Sequence, residues 1–189
     1  MTRALYAGMV ATLISLIVAT APPAVAQTQS LAAYFPSAAQ YPAGFNVLSI
    51  HTYRQPSSVF GDANARLAKQ LHFVIGNTQV AFGHGLTVTV AVARFGSAAD
   101  AGQFRARVRL DIVNDRSKRT RRIGGLGSSG ALYVEGDCAS CGANAPPLGD
   151  MLFSRGSVMV LVGVQAAVPA YATQVSKAID TKLRHAHVG

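Results

Sequence analysis

Residues 86–113 read LTVTVAVARFGSAADAGQFRARVRLDIV, and this stretch decides the fold. Valine alternates with threonine and alanine over residues 87–92, the period-two pattern of a strand with one face more apolar than the other. Gly96 ends that pattern, and Ser97 with Asp100 three residues on resembles a capping box at a helix start. Apolar residues then follow at helical spacing, namely Ala101, Phe104, Val108 and Ile112. The stretch predicts a strand, a short turn and a helix that returns onto the sheet.

The same order recurs near the C-terminus, in residues 157–183. The apolar run Val158–Val164 is too short to cross a membrane and suits a central strand. Pro169 fits the first turn of a following helix, whose apolar stripe is Val168, Tyr171, Val175, Ile179 and Leu183. We predict that the two β-then-α segments close over one shared core. Their common order suggests a two-fold repeat of a strand–strand–helix unit.

Weaker patterns supply the other elements. Helical spacing over residues 59–73 predicts a further helix, and Gly83-His84-Gly85 predicts the turn of an antiparallel hairpin. The expected fold class is α+β, with a mainly antiparallel sheet of about five to six strands packed by about three helices. The expected boundaries are an irregular lead-in at 27–44, one α+β domain at 45–185 and a tail at 186–189.

The N-terminus has the features of an export signal. Arg3 precedes the apolar run Leu5–Ala21, and Ala24-Val25-Ala26 forms an A-x-A cleavage site before Gln27. We interpret residues 1–26 as a signal peptide, with an uncleaved anchor as the alternative. No second apolar run of membrane length follows in the sequence. The predicted location is extracytoplasmic, either periplasmic or secreted.

Basic residues dominate the charge of the chain. Its 189 residues include 17 Lys and Arg against 8 Asp and Glu, and only Arg3 falls within the signal peptide. Such a balance favours anionic surfaces without specifying one. The cations concentrate in one segment, for which we predict an anion-binding ridge of Arg105, Arg109, Arg116, Lys118, Arg119, Arg121 and Arg122.

Within this ridge, Arg105, Arg109 and Arg116 are expected on one stripe of the helix, because about 100° separates successive residues. The alternative is a solvated helix face followed by a mobile linker over residues 114–122. An anionic component of the cell envelope or another protein is the expected partner. Nucleic acid is not expected, because the segment lacks interleaved aromatic residues and export removes most such partners.

The chain has two cysteines, Cys138 and Cys141, in a C-x-x-C arrangement. A disulfide between them is the first interpretation for an exported chain. A redox site would need the first cysteine at a helix N-terminus, whereas Pro146 and Pro147 favour a loop. A zinc site is the third alternative, with the remaining ligands from His185 and His187.

Other motifs give no support for catalysis. The glycine-rich residues 124–130 lack the Lys and Ser or Thr of a P-loop and are interpreted as a flexible connection. His84, at the hairpin tip, is interpreted as a solvent-facing loop residue. No G-x-S-x-G nucleophile setting and no paired carboxylates occur in the sequence, so an enzyme is disfavoured and no cofactor is predicted.

Three short motifs resemble those of small exported bacterial proteins and lipoproteins of uncharacterised function. They are Tyr41-Pro42-Ala43-Gly44-Phe45, the join Val92–Ala98 with Ala101 following, and Met151–Val158. The chain departs from that group in lacking a lipobox cysteine and in having Ser154 and Ser157 where Arg and Asn are usual. The resemblance implies an α+β fold and no activity.

Together these observations predict an exported, non-catalytic binding or cell-envelope-associated domain. The alternative is a thiol–disulfide redox protein that uses Cys138 and Cys141.

Overall fold

A computed structural model describes residues 30–115, 117–136, 147–166 and 168–186. The predicted signal peptide, the Cys138–Cys141 pair, Arg116 and His187 lie outside these residues. Two short 3-10 turns, Leu31–Tyr34 and Ala38–Gln40, precede the first strand. The strands and α-helices in chain order are β1 (Asn46–Val47), β2 (His51–Tyr53), α1 (Ser57–Gln70), β3 (Phe73–Gly83), β4 (Leu86–Phe95), α2 (Ala98–Asn114), β5 (Arg119–Ile123), β6 (Ala131–Gly136), β7 (Leu148–Arg155), β8 (Val158–Gln165) and α3 (Pro169–His185).

All strands belong to one antiparallel sheet with the order β1-β3-β4-β8-β7-β6-β5, in which β2 also pairs with β3. The predicted α+β class and antiparallel sheet are confirmed. Over the described residues, the sheet has eight strands rather than five or six. One reason is that two short strands, β1 and β2, pair with the same edge of β3. The other is that residues 119–123, expected within a mobile linker, pair with β6 as strand β5.

The two predicted β-then-α segments meet at the centre of the sheet, where β4 pairs with β8 from Val88↔Val164 to Arg94↔Val158. Their helices lie on opposite faces of that sheet. Helix α3 packs with Val88, Val90 and Val92 on one face of β4. Helix α2 packs with Ala93 and Phe95 on the other face. The expectation of one shared core is therefore wrong, and the interior consists of two cores. A two-fold axis that relates two antiparallel neighbours such as β4 and β8 is perpendicular to the sheet, so it would place both helices on the same face. The two segments therefore share the order of their elements but not a two-fold symmetry.

The core on the α3 face includes the N-terminal lead-in. Four lead-in side chains are buried in it, Leu31, Tyr34, Phe35 and Tyr41. They contact the same core as the buried stripe of α3, which is Ala172, Val175, Ile179 and Leu183. The Tyr41 hydroxyl donates a hydrogen bond of 2.9 Å to Gln79 Oε1 on β3. The lead-in thus covers the part of the sheet that α3 does not reach.

The glycine-rich segment 124–130, here called the glycine loop, is anchored rather than a flexible connection. Arg184 donates a 2.6 Å hydrogen bond to the Gly125 carbonyl. The Gly127 amide donates to Asp180 Oδ1 at 3.1 Å, and the Ser128 amide donates to the Ser154 carbonyl at 2.8 Å. Gly127 has φ +65°, and a Cβ there would lie 2.6 Å from the Ser154 oxygen, so this position requires glycine.

His84 has a structural contact at the hairpin tip. Its Nε2 lies 2.8 Å from the Ala43 carbonyl oxygen, and its ring meets that of Phe45 edge-on at 6.0 Å between centroids. The side chain therefore fastens the β3–β4 turn to the lead-in, which the interpretation as a solvent-facing residue missed.

In the part of the chain that the structure describes, no helix combines the length and apolar character needed to cross a bilayer.

Candidate functional site

Helices α1 and α2 cover only one half of their sheet face. They are held there by an aromatic cluster, Phe60, Phe73, Phe95 and Phe104, with ring centroids 4.7 to 6.3 Å apart. Along β4 the same face changes from buried Phe95, through Ala91 at 5% exposure, to Thr89, which is exposed. Strand β4 is central in the sheet, so an exposed residue there means that no helix lies above it.

The uncovered half forms an open cleft. It consists of two adjoining cavities of about 580 and 430 Å³ that share Val59, Asp150 and Leu161. Volumes of this size are typical of sites for small molecules. The larger cavity has an apolar lining with scattered hydroxyl groups, and its residues include Ser58, Thr78, Thr87, Thr89, Leu148, Gly163 and Gln165.

Asp150 lies in the floor where the two cavities meet. It is on β7 between Val134 of β6 and Gly163 of β8. A Cβ at Gly163 would lie 2.9 Å from Asp150 Oδ1, so the absence of a side chain at residue 163 leaves room for the carboxylate. Among the described residues, Asp150 has no hydrogen-bond or ion-pair partner. Burial raises the pKa of Asp150, and the positive charge of Lys118 opposes that shift.

We expect Asp150→Asn to stabilise the fold at pH 7 by about 1 kcal/mol, or about 2–4 °C, because a neutral amide loses less hydration than a carboxylate. A raised folded-state pKa means that the wild type loses stability as the pH rises from about 4 through that pKa. The asparagine variant lacks this loss. Thermal unfolding at pH 4 and pH 7 checks it, with Asp62→Asn, an exposed carboxylate on α1, as the control. An Asn variant less stable than the wild type at pH 7 contradicts the prediction.

Three of the predicted anion-binding residues converge beside the middle of α2. This arginine cluster consists of Arg105 and Arg109 of α2 and Arg122 of β5, around a cavity of about 180 Å³. Arg105 donates to the Gly130 carbonyl at 3.1 Å and also to the Ser129 hydroxyl. Burial lowers the pKa of Arg105, and the positive charges of Arg109 and Arg122 lower it further. No carboxylate lines this cavity among the described residues.

The other cations of the predicted ridge are dispersed. Arg119 and Arg121 lie on the α3 face of β5, where the Arg121 guanidinium carbon is 5.7 Å from the ring centroid of Tyr133. Lys118 Nζ lies 3.3 Å from Asp115 Oδ2. Helix α2 ends at Asn114, and Arg116 lies outside the described residues. Because successive side chains alternate along a strand, β5 places Arg119 and Arg121 on one face of the sheet and Arg122 on the other.

Sequence reasoning missed the cleft residues. Asp150 carried one available signal, since it is an acid directly before the apolar residues Met151, Leu152 and Phe153. Thr89 carried none, because its alternation with valine is typical of any half-buried strand. The disulfide, redox and zinc interpretations of Cys138 and Cys141 lie outside the described residues and stay predictions.

Comparison with known proteins adds a structural relationship. No protein-family model and no curated protein sequence matches the chain. The crystal structure of the extracellular domain of PknH from Mycobacterium tuberculosis superimposes with a TM-score of 0.61 at 12% identity, covering 82% of this chain and 94% of that one. An uncharacterised protein from Mycobacterium smegmatis gives a TM-score of 0.43 at 10% identity, covering 77% of this chain and 92% of that one. At this identity, the first of these similarities shows a shared fold.

Proposed function

We propose that this chain is an exported, non-catalytic binding domain and that the open cleft holds a small amphipathic molecule. The exposure of Thr89 on a central strand carries the proposal, because the same face of β4 is buried at Ala91 and Phe95, so the helices leave a cleft beside them. Side chains that would complete a core, such as Leu148 and Leu161, instead border open space. A ligand with an apolar part and a polar group matches this lining.

Two further observations support an extracytoplasmic binding role. Residues 1–26 have the pattern of a signal peptide. The fold is shared with a protein described as the extracellular domain of PknH. An architecture found in an extracellular domain is compatible with a domain that works outside the cytoplasm, while the ligand has to be argued from the cleft itself.

The test uses n-octyl glucoside below its critical micelle concentration as a neutral amphipathic probe in titration calorimetry. We expect Thr89→Trp to weaken binding about tenfold or more, because the indole occupies the floor of the cleft. Thr181→Trp, on the exposed side of α3, is the matched control and should bind like the wild type. The chain has no tryptophan, so the emission maximum of each variant reports whether its single indole is sheltered. Equal binding by both variants, with the indole of the Thr89→Trp variant sheltered, excludes the cleft as the binding site.

The arginine cluster supports a second function, contact with a phosphate-bearing surface. Its specific support is that Arg105, Arg109 and Arg122 surround one cavity in which no carboxylate offsets their charge among the described residues. Arginine suits this role because its planar group can hold a phosphate in a two-point contact. This proposal keeps only part of the ridge that the sequence predicted.

The double variant Arg109→Gln/Arg122→Gln is expected to reduce sedimentation with phosphatidylglycerol vesicles several-fold, since each basic residue near such a surface contributes about 1 kcal/mol. Arg54→Gln/Arg66→Gln removes the same charge from exposed positions on and just before α1. If both double variants lose vesicle binding equally, net charge accounts for it and the cluster has no special role. Phosphatidylcholine vesicles measure the uncharged background.

A further inference from the structure

The cleft contains a feature that a site for neutral amphipathic molecules would not need, the carboxylate of Asp150. The chain carries 17 Lys and Arg against 8 Asp and Glu, so a cationic partner for this acid is abundant in the sequence. Yet no described residue donates a hydrogen bond to Asp150 or pairs with it. A carboxylate that is partly removed from water and left without a partner is costly to the fold.

The residues around Asp150 leave its carboxylate open to the cleft. Gly163 beside it on β8 lacks a side chain, and a Cβ there would lie 2.9 Å from Asp150 Oδ1. Lys118 is the charged neighbour whose field reaches the carboxylate, but its Nζ lies 3.3 Å from Asp115 Oδ2. The positive charge of Lys118 is therefore already offset by another acid. The remaining open side of Asp150 is the junction of the two cavities.

The residues around Asp150 suit both the hydrocarbon part and the ammonium group of an organic cation. Val59 and Leu161 offer apolar contact within reach of both cavities. The hydroxyls of Thr87 and Thr89 line the larger cavity and can accept hydrogen bonds from an ammonium group. No lysine or arginine lines the larger cavity among the described residues, whereas Lys118 and Asp111 both line the smaller one. A cation that enters from the larger cavity therefore meets no positive charge there.

We propose that the open cleft selects an amphipathic organic cation, whose ammonium group pairs with Asp150 while its hydrocarbon part lies along the apolar floor. This inference rests on the proposed function, to which it adds the charge of the ligand. A partly buried carboxylate gains more from such a partner than an exposed one, because charges attract more strongly where less water surrounds them. Asp150 would then be a specificity residue whose cost to folding is offset on ligand binding.

The test compares three probes that share one octyl chain: octylammonium, octyl glucoside and octyl sulfate, each titrated calorimetrically into the whole exported chain. We expect the wild type to bind octylammonium at least about tenfold more tightly than octyl sulfate, with octyl glucoside between them. Asp150→Asn should remove the preference for octylammonium, measured in each protein as the ratio of octylammonium affinity to octyl glucoside affinity. Asp62→Asn, which removes an exposed acid elsewhere, should keep the full preference.

Gly163→Ala provides a second variant, which keeps the negative charge of Asp150 but displaces its carboxylate. The new methyl group would lie 2.9 Å from Asp150 Oδ1. This variant should weaken octylammonium binding more than octyl glucoside binding. If Asp150→Asn binds all three probes as the wild type does, the inference fails while the proposed function stands. If the wild type binds none of the probes, both fail.

Discussion

Replacing Asp180 by alanine is expected to lower the free energy of unfolding by about 3 kcal/mol, because it leaves Arg155, whose side chain is 21% exposed, without its counter-ion. Asp180 is 2% exposed on α3 and receives a two-point contact from Arg155, at 2.6 Å to Oδ1 and 3.1 Å to Oδ2. Arg184 adds a third hydrogen bond at 3.0 Å to Oδ2. The carboxylate thus joins α3 to the end of strand β7.

The effect extends beyond the ion pair because the same residues hold the glycine loop. Arg155 also donates to the Gly127 carbonyl at 2.8 Å, and Gly127 in turn donates its amide to Asp180. Removing the carboxylate leaves the partly buried Gly127 amide without its acceptor and the Arg155 guanidinium without its counter-ion. Chemical denaturation followed by circular dichroism measures the loss, and Asp62→Ala on the exposed side of α1 is the control, expected to change stability by less than about 0.5 kcal/mol. A loss below about 1 kcal/mol for Asp180→Ala would contradict a structural role for this network.

The pH dependence of the Asp180 contribution has a defined sign. Burial alone would raise the pKa of Asp180, but hydrogen bonds from Arg155 and Arg184 outweigh it and hold the pKa below its usual value. A lowered folded-state pKa stabilises the fold above about pH 4, and this contribution disappears as the pH falls through the lowered value. The stability difference between wild type and Asp180→Asn should therefore shrink below pH 4. A difference that stays constant down to pH 2 would show that charge is not its source.

Elements with a local signal were predicted well. Helix α2 follows β4 as expected because its start is fixed within a few residues, where the Ser97 hydroxyl accepts from the Asp100 amide at 3.1 Å. Helix α3 likewise begins at Pro169, and the predicted apolar stripe supplies its buried face. In both segments the period of the pattern and the terminating residues lie within the segment itself.

Features that depend on distant residues were not predictable from such patterns. Strand β5 reads Arg-Thr-Arg-Arg-Ile and is held at the sheet edge by backbone pairing with β6, which leaves no trace in side-chain periodicity. The glycine loop is fixed by Asp180, which lies more than fifty residues further along the chain. The assignment of α2 and α3 to opposite faces depends on the side on which the chain leaves each strand, and both strands carry apolar residues on each face.

The cleft has the same origin in long-range geometry. Its existence depends on how far α1 and α2 extend over the sheet, which the sequence of β4 does not encode. Strand β4 supplies floor residues to the cleft at Thr89 and core residues at Phe95 with one unchanging alternation. The arginine cluster was predictable in part, since Arg105 and Arg109 are one helical turn apart, but the addition of Arg122 required the position of β5.

Phe104→Ala is expected to lower the free energy of unfolding by about 3–5 kcal/mol, the usual cost of removing a buried aromatic ring. Phe104 is fully buried on α2, with its ring centroid 4.7 Å from that of Phe60 and 5.1 Å from that of Phe95. It therefore links α2 both to α1 and to the last residue of β4. Loss of the ring removes these contacts and leaves a cavity beside the cleft.

Leu110→Ala is the matched control because Leu110 lies on the same helix with 55% of its surface exposed. Its replacement should change stability by less than about 0.5 kcal/mol, while it alters helix propensity in the same direction as Phe104→Ala. Urea denaturation of the two variants separates packing from helix propensity. Since the aromatic cluster is what holds α1 and α2 over one half of the sheet, Phe104→Ala should also weaken octyl glucoside binding, which Leu110→Ala should not. Similar stabilities for the two variants would mean that the helices are held over the sheet by contacts other than this cluster.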